Sequence, residues 1–372
     1  MQKKLRVAVL GATGLAGQQF LTALAHHPYF TVTRLCASKQ SAGKRYAEAL
    51  RDKSGSLRWF ATEPPPAALL DLLVEDASAV AAAGASDLDV VFSALDTEVA
   101  RELEPLLARQ VPVFSTASAY RYEDDVPILL PGVNPEHAAL LTTQQKLRGW
   151  RGFIAPGPNC TTVGLAMTLR PLLDAFGLQR VVMTSLQAVS GAGRSPGVSA
   201  LDILDNVIPY IPSEEEKVER ETRKILGHLH TDSSGLSRIT PRALPVSCTC
   251  TRVAVLEGHT EAVFVQTERP APLAEVKAVL SQFGQALQAL KLPSLPPQLI
   301  SVTDDPFRPQ PRLDRDCGGG LTTVVGRLRP ETALGEHGVK YVLLSHNTKM
   351  GAAAGSILVA EQLYQAGYLN LV

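Results

Sequence analysis

Hydrophobic and polar positions fall into two textures along this chain. LRVAVLGATG is apolar apart from Arg6 and stops at glycines, the pattern of a short buried strand closing in a Gly-rich turn. LAGQQFLTALAHH then places its apolar residues at helical spacing. TVTRLCAS predicts a second strand, LDVVFSAL and VPVFSTAS two more, and TEVARELEPLLARQ the helix joining the last pair. Strands alternating with helices predict a parallel sheet with crossover helices, an α/β unit over roughly the first 150 residues. The stretch 61–76, ATEPPPAALLDLLVED, carries enough proline to read as partly loop.

Beyond Cys160 the texture changes. TTVGLAMTLRPLLDAF keeps helical spacing, LQRVVMTSLQAVS reads as a longer strand, and SEEEKVERETRKILGHL as a polar helix. CTCTRVAVLEGHTEAVFVQTE adds further long strands, so the second unit is expected to be α+β. The final MGAAAGSILVAEQLYQAGYL reads as a small-residue helix that packs back onto the first unit. No internal repeat or low-complexity tract interrupts this order.

Composition narrows the function classes. A chain of 372 residues is long enough for two domains with real cores. Lys+Arg and Asp+Glu balance at 36 each, which gives no electrostatic case for nucleic acid or an anionic membrane as partner. No apolar run approaches a membrane span. The opening MQKKLRVAVLGATGLAG has basic residues before an apolar run, as a signal peptide does. Arg6 breaks that run, however, and the glycines follow a nucleotide-binding rhythm, so a soluble cytoplasmic protein is expected. Five cysteines, an odd number, read as reduced thiols rather than a disulfide framework. Cys248-x-Cys250 has no second Cys/His pair nearby, so two thiols on a strand are favoured and no metal is expected.

Two places carry candidate chemistry. Gly11-x-x-Gly14-x-x-Gly17 lies between a strand and a helix, where backbone amides and the helix dipole receive a pyrophosphate. The spacing alone also suits a tight βα turn; the strand–turn–helix context favours a dinucleotide. At the end of the second strand, Ser38, Lys39, Ser41 and Lys44 stand where NAD enzymes place an acid, which favours NADP. The second place is APGPNCTTVGLAM. Cys160 precedes a helical run, and the dipole and free amides at a helix start favour a thiolate. Pro156 and Pro158 stiffen the approach and Asn159 suits a turn or cap. A lone cysteine is also compatible with simple packing. Arg252 and His259 are seven residues apart; on one regular strand that odd spacing puts them on opposite faces, so sharing a pocket needs a bend near Gly258.

Taken together, these motifs resemble aspartate-β-semialdehyde dehydrogenases, specifically the archaeal and fungal branch. The resemblance runs nearly end to end through GATGLAG, ASxxSAGK, FSALD, SxASxYR, NPEH, GPNCTT, LQAVSGAG, DILDNVIPYI, EEEKVERETRKILG, TRVAVLEGH, RPQPRLDRD and SHNTKMGAAAGS. It implies a Rossmann-like NADP-binding domain over 1–158, completed by a C-terminal helix within 347–372, and an α+β catalytic and dimerisation domain over 159–346. Cys160 then matches the nucleophile, His259 the acid/base, and Gln187 the residue orienting the acyl intermediate. Arg252 matches the clamp on the substrate α-carboxylate, Glu214 the partner of its amino group, and Lys217 and Arg121 the phosphate site. Gly11, Thr13, Gly14, Ser38 and Ser41 fall on the cofactor phosphates, and Asn347 on the nicotinamide side.

The implied reaction interconverts L-4-aspartyl phosphate and L-aspartate 4-semialdehyde with NADPH and inorganic phosphate, in a homodimer or homotetramer. Three positions depart from the family pattern and are expected near the phosphate: Thr116 for Asn, Tyr120 for His, and Gly132 within PGVN. Two alternatives use the same scaffold, a CoA-thioester reductase and a dinucleotide sensor without turnover. Retention of Cys160, His259, Gln187 and Arg252 argues against the sensor, and Glu214 argues for a substrate with an amino group.

Overall fold

In the computed structural model, residues 3–194 and 197–369 are described; residues 1–2 and 370–372, at the ends of the expected first unit, lie outside them. The first unit is built on six strands: β1 Leu5–Leu10, β2 Phe30–Ala37, β3 Val74–Asp76, β4 Val90–Ser93, β5 Val113–Ser115 and β6 Ile154–Pro156. All pair in parallel, in the order β3-β2-β1-β4-β5-β6. Their short apolar runs follow from burial on both faces, since helices cover each side of a parallel sheet. The order reverses between β1 and β4. That reversal opens a crevice at the carboxyl ends of the strands, where open α/β sheets bind ligands. Proline-rich 61–76 holds more structure than its composition suggests: after a helical turn at Ala67–Leu69 it ends in β3, an edge strand of three residues.

Eight more strands follow: β7 Arg180–Gln187, β8 His228–Thr231, β9 Ser237–Thr240, β10 Val246–Arg252, β11 His259–Gln266, β12 Ile300–Val302, β13 Thr323–Glu331 and β14 Gly338–Ser345. β8 and β9 form a hairpin, and the other six a mixed sheet, β10-β7-β11-β14-β13-β12. Alternation sets its two faces. Val181, Met183, Ser185 and Gln187 of β7 point inward with Val263 and Val265 of β11, into a core shared with the helix Cys160–Phe176. The outward face carries Val182 and Leu186, 38% and 40% exposed.

RVAVLEGH is not one strand. β10 stops at Arg252 and β11 starts at His259, with Gly258 at φ +96° in the turn between them. The polar helix, Glu214–Ile225, is not a solvated face either. Its Glu215 and Glu219 accept hydrogen bonds from the outward N–H groups of Cys250 (2.9 Å) and Cys248 (3.2 Å) on the sheet edge β10. A four-residue step on the helix matches a two-residue step on the strand, and the edge is closed to further pairing.

The C-terminal helix, Ala353–Gln365, packs on the core of the first unit through Ile357, Ala360 and Leu363. Its Glu361 is fully buried, accepting from His27 Nε2 at 2.7 Å and from the Ser294 N–H at 3.1 Å. This one carboxylate ties the loop that follows the first helix, the last helix and the 291–296 segment together. Glu361→Ala leaves two buried polar groups unpaired, and the expected loss is about 2–4 kcal/mol. The measurement is the melting midpoint: a clear fall is expected for the alanine variant and a smaller one for Glu361→Gln, while an unchanged midpoint for both refutes the role.

Candidate active site

Strand direction and parity assemble one side of the site. β7 and β10 run parallel with Gln187 opposite Arg252, and antiparallel β11 begins beside them at His259. Each of the three residues occupies an inward position, so all meet at one end of the sheet, buried to 6% exposure or less. The bend at Gly258 that parity demanded is what lets Arg252 and His259 face one pocket. Arg252 Nη1 donates to the Ala188 carbonyl at 2.8 Å and approaches Gln187 Oε1 at 3.5 Å.

Cys160 enters from the other side as the first residue of its helix. Asn159 caps that helix: its Oδ1 accepts from the N–H groups of Thr161 (2.8 Å) and Thr162 (3.3 Å). The thiol Sγ lies 3.2 Å from His259 Nε2. On the far side of the ring, the Ala188 N–H donates to Nδ1 at 3.0 Å. A neutral imidazole carries one proton, so this contact places it on Nε2, facing the sulfur. Gly191 closes the pocket from above; a Cβ there would lie 2.8 Å from Arg252 Nη1 and 3.1 Å from His259 Nε2.

The charge state of the pair differs from the helix-start expectation. Burial, seconded by the Glu214 carboxylate, pushes the Cys160 thiol up to about 12, against the opposing pull of Arg252 and Arg121. Burial, then Arg252 and His346, push His259 down to about 3. The sulfur is half-buried in a crevice walled by protein, and desolvation there outweighs the helix dipole. At neutral pH the pair is therefore a thiol beside a neutral imidazole.

The helix Glu214–Ile225 supplies the polar wall. Glu214 is buried and accepts from Asn159 Nδ2 (3.0 Å) and Thr161 Oγ1 (3.4 Å), on either side of Cys160. Lys217, one turn on, is half-buried, and its side chain makes no hydrogen bond or ion pair among the described residues. Arg121 is buried, donating from Nε to Gly157 O (2.8 Å), from Nη2 to Thr116 O (2.9 Å) and from Nη1 to Glu221 (3.1 Å). Glu221 escaped the sequence reading; its signal was the seven-residue step from Glu214, which puts both on one helix face.

The three departures separate. Thr116 serves Arg121 through its carbonyl, so its side chain is not the contact. Tyr120 turns away, donating to Arg101 O at 2.6 Å. Gly132, at φ +74°, packs toward Leu287 and Leu299. Of the three, Thr116 alone contacts the Arg121 guanidinium, through its carbonyl, while the Tyr120 hydroxyl and Gly132 are directed elsewhere.

The crevice of the first sheet lies where the strand order reverses. Gly11, at φ +74°, comes so near β4 that a Cβ would meet Ala94 O at 2.4 Å, and a Cβ on Gly17 would meet Gly11 O at 2.1 Å. No side chain caps the helix Leu15–Leu24, whose N-cap is Gly14. Gly14 donates its own N–H to Gly11 O at 2.9 Å, closing the turn, and the close-packed backbone at Thr13 and Gly14 leads into the helix-start amides, which fits a pyrophosphate. Ser38 and Ser41 lie in the turn that follows β2, joined by the Ser41 N–H to Ser38 O bond of 2.9 Å. Asn347 stands apart from this group. Its Oδ1 accepts from the Gly258 N–H and its Nδ2 donates to Ser190 Oγ, both at 2.8 Å, so it braces the turn that presents His259.

A nucleophilic sulfur, an imidazole donor, two guanidiniums and a dinucleotide crevice form a set able to oxidise an aldehyde through a covalent acyl intermediate. Comparison with known proteins gives the same class. Residues 6–141 match the semialdehyde dehydrogenase NAD binding domain, and residues 169–350 the semialdehyde dehydrogenase dimerisation domain. The aspartate-semialdehyde dehydrogenase of Archaeoglobus fulgidus is 46% identical across 95% of this chain and 96% of its own length. That of Saccharomyces cerevisiae is 41% identical across 98% of both. The crystal structure of the Candida albicans aspartate semialdehyde dehydrogenase with NADP superposes with a TM-score of 0.84, at 40% identity over 99% of this chain and all of that one. Fold, site and sequence agree: this chain belongs to the aspartate-semialdehyde dehydrogenase family.

Proposed function

We propose that this protein is an NADP-dependent aspartate-semialdehyde dehydrogenase, interconverting L-4-aspartyl phosphate and L-aspartate 4-semialdehyde plus inorganic phosphate. The observation that carries this reading is Cys160 Sγ at 3.2 Å from His259 Nε2, in a pocket that also holds Arg252 and Glu214. Aspartate-pathway amino-acid biosynthesis is the setting that follows. Neither a CoA-thioester reductase nor a sensor is favoured, because the archaeal and fungal relatives are named aspartate-semialdehyde dehydrogenases and the catalytic pair is intact.

In the oxidative direction Arg252 binds the substrate α-carboxylate and Glu214 its ammonium. Occupation of Glu214 by a cation offsets the carboxylate that, after burial, most opposes ionisation of Cys160, so binding of an amino substrate eases formation of the thiolate. The Cys160 proton is released to solvent, and the thiolate sulfur adds to the aldehyde carbon as the carbonyl electron pair passes to oxygen. His259 is the acid/base partner of the oxygen, its Nε2–H supporting the alkoxide, while Gln187 orients the adduct. Gly11, Thr13, Gly14, Ser38 and Ser41 would hold NADP, which would supply the hydride acceptor. Asn347 acts at the nicotinamide side by holding the Gly258 turn. Loss of hydride from the adduct leaves a thioester on Cys160. Phosphate held by Arg121 and Lys217 attacks that carbonyl, and the sulfur departs.

Residues 1–158 with 347–372 are assigned to the NADP-binding domain and 159–346 to the catalytic and dimerisation domain, a division supported by the packing of the C-terminal helix on the first core. A homodimer is assigned to the outward face of the second sheet. Its exposed Val182 and Leu186 lie on the face opposite the core, and Leu201 and Leu204 are 91% and 64% exposed. A cytoplasmic location is supported by five free cysteines, and no helix among the described residues is long and apolar enough to cross a membrane.

Three measurements test this reading. Phosphate-dependent NADPH formation from aspartate semialdehyde is expected of the native chain, and Cys160→Ala is expected to lose it by about a thousandfold or more; turnover near the native level would remove Cys160 as nucleophile. Alkylation of Cys160 by iodoacetamide in the cofactor-free enzyme, followed by mass spectrometry of its peptide, is expected to accelerate about tenfold per pH unit between about pH 7 and 9, because thiolate is a minor species throughout. A rate already level at neutral pH contradicts the burial argument. Leu186→Glu is expected to shift the mass in light scattering from dimer to monomer; an unaltered dimer mass places the interface elsewhere.

A further inference from the structure

Glu221 is a fully buried carboxylate to which the proposed chemistry gives no part. It sits two helical turns from Glu214, and both of its oxygens are in use. Oε1 accepts from Arg121 Nη1 at 3.1 Å and from the Tyr122 hydroxyl at 3.2 Å. Oε2 accepts from the backbone N–H of Asn159 at 2.6 Å. Asn159 is in turn the cap of the Cys160 helix and donates to Glu214. One carboxylate therefore joins the guanidinium assigned to phosphate with the turn that carries the nucleophile.

The arrangement of Arg121 shows what that link does. A guanidinium has five N–H donors, and three are already directed at Gly157 O, Thr116 O and Glu221. Contacts at three edges of a planar group fix its rotation and leave two N–H groups for an incoming oxyanion. Two of the three partners are backbone carbonyls, so Glu221 is the only one among them that balances the charge and that a side-chain substitution alters. Lys224 closes the frame by donating to Arg121 O and Glu123 O, both at 2.8 Å. Lys217, four residues before Glu221 on the helix, remains free to add charge.

We propose that Glu221 is a positioning residue for acyl transfer to phosphate: it fixes Arg121 relative to the Cys160 turn, so that phosphate is delivered to the thioester carbon. This rests on the dehydrogenase reading above. The charged contact of Glu221 is with Arg121, whereas its contact with the Cys160 turn is the Asn159 backbone N–H, which the amide oxygen of a glutamine can still accept; loss of the charge therefore falls on the phosphate half-reaction. It therefore separates the two substrates kinetically, which a general structural role does not.

The experiment compares the native chain, Glu221→Gln and Glu221→Asp in the oxidative direction, with phosphate and aspartate semialdehyde varied in turn. Glu221→Gln keeps the size of the side chain and loses its charge; the expected result is an apparent KM for phosphate raised about tenfold or more. The KM for the semialdehyde is expected to move much less, and Glu221→Asp is expected to recover part of the phosphate KM by restoring the charge. A phosphate KM within about twofold of native in Glu221→Gln overturns the inference, as does a parallel rise in both KM values. Should Glu221→Gln fail to fold, Glu221→Asp carries the same comparison, its carboxylate withdrawn by one methylene. Absence of phosphate-dependent turnover in the native chain is a separate outcome, and it overturns the reading on which this inference rests.

Discussion

The hydrogen-bonded cap at Asn159 is the constraint on which the site depends. Its Oδ1 starts the Cys160 helix, its Nδ2 reaches Glu214, and its backbone N–H reaches Glu221. The helix Cys160–Phe176 lies against the second sheet, so fixing its first residue fixes the sulfur against the ends of β7, β10 and β11. A nucleophile on a mobile loop would have to be ordered during the reaction. Here that ordering belongs to folding, and the cap holds it.

The same burial that orders the thiol also protects it. A sulfur pushed up to about 12 is a poor nucleophile toward solvent oxidants and adventitious electrophiles. Ala188 contributes by donating to His259 Nδ1, which opposes formation of the imidazolium and keeps the ring neutral. In the proposed mechanism reactivity is reserved for a bound substrate whose ammonium meets Glu214, so that selectivity for an amino substrate and activation of the nucleophile are one electrostatic event.

Much of this was legible in the chain. The first sheet follows from its short apolar runs and the Gly-rich turn, and β2, β4 and β5 lie within or beside TVTRLCAS, LDVVFSAL and VPVFSTAS, which predicted them. β3 was not legible, since three residues at a sheet edge beside a proline cluster carry no periodicity. Parity correctly required a break between Arg252 and His259, and a glycine with positive φ supplies it. The polar helix was legible as a helix but not in its burial, since nothing in its charge pattern marks Glu214 and Glu221 as buried against the site. Composition records which side chains are charged; only the tertiary partners decide which are buried. Tyr120 shows the converse, adjacent to Arg121 in sequence and turned from it in space.

Charge accounting shows why that helix had to be so acidic. Arg121 and Arg252 are buried near one thiol, and two uncompensated guanidiniums would be costly to desolvate. Glu221 compensates Arg121 in the folded protein itself, at 3.1 Å. Arg252 has no carboxylate within ion-pair distance among the described residues and is met by carbonyl oxygens of Gln187 and Ala188. The two arginines therefore await different things. Arg121 is charge-paired and preoriented; in the proposed mechanism a phosphate adds to that geometry and Lys217 supplies the further positive charge. Arg252 has only neutral acceptors, and in the same mechanism the substrate carboxylate is the counter-ion that completes it.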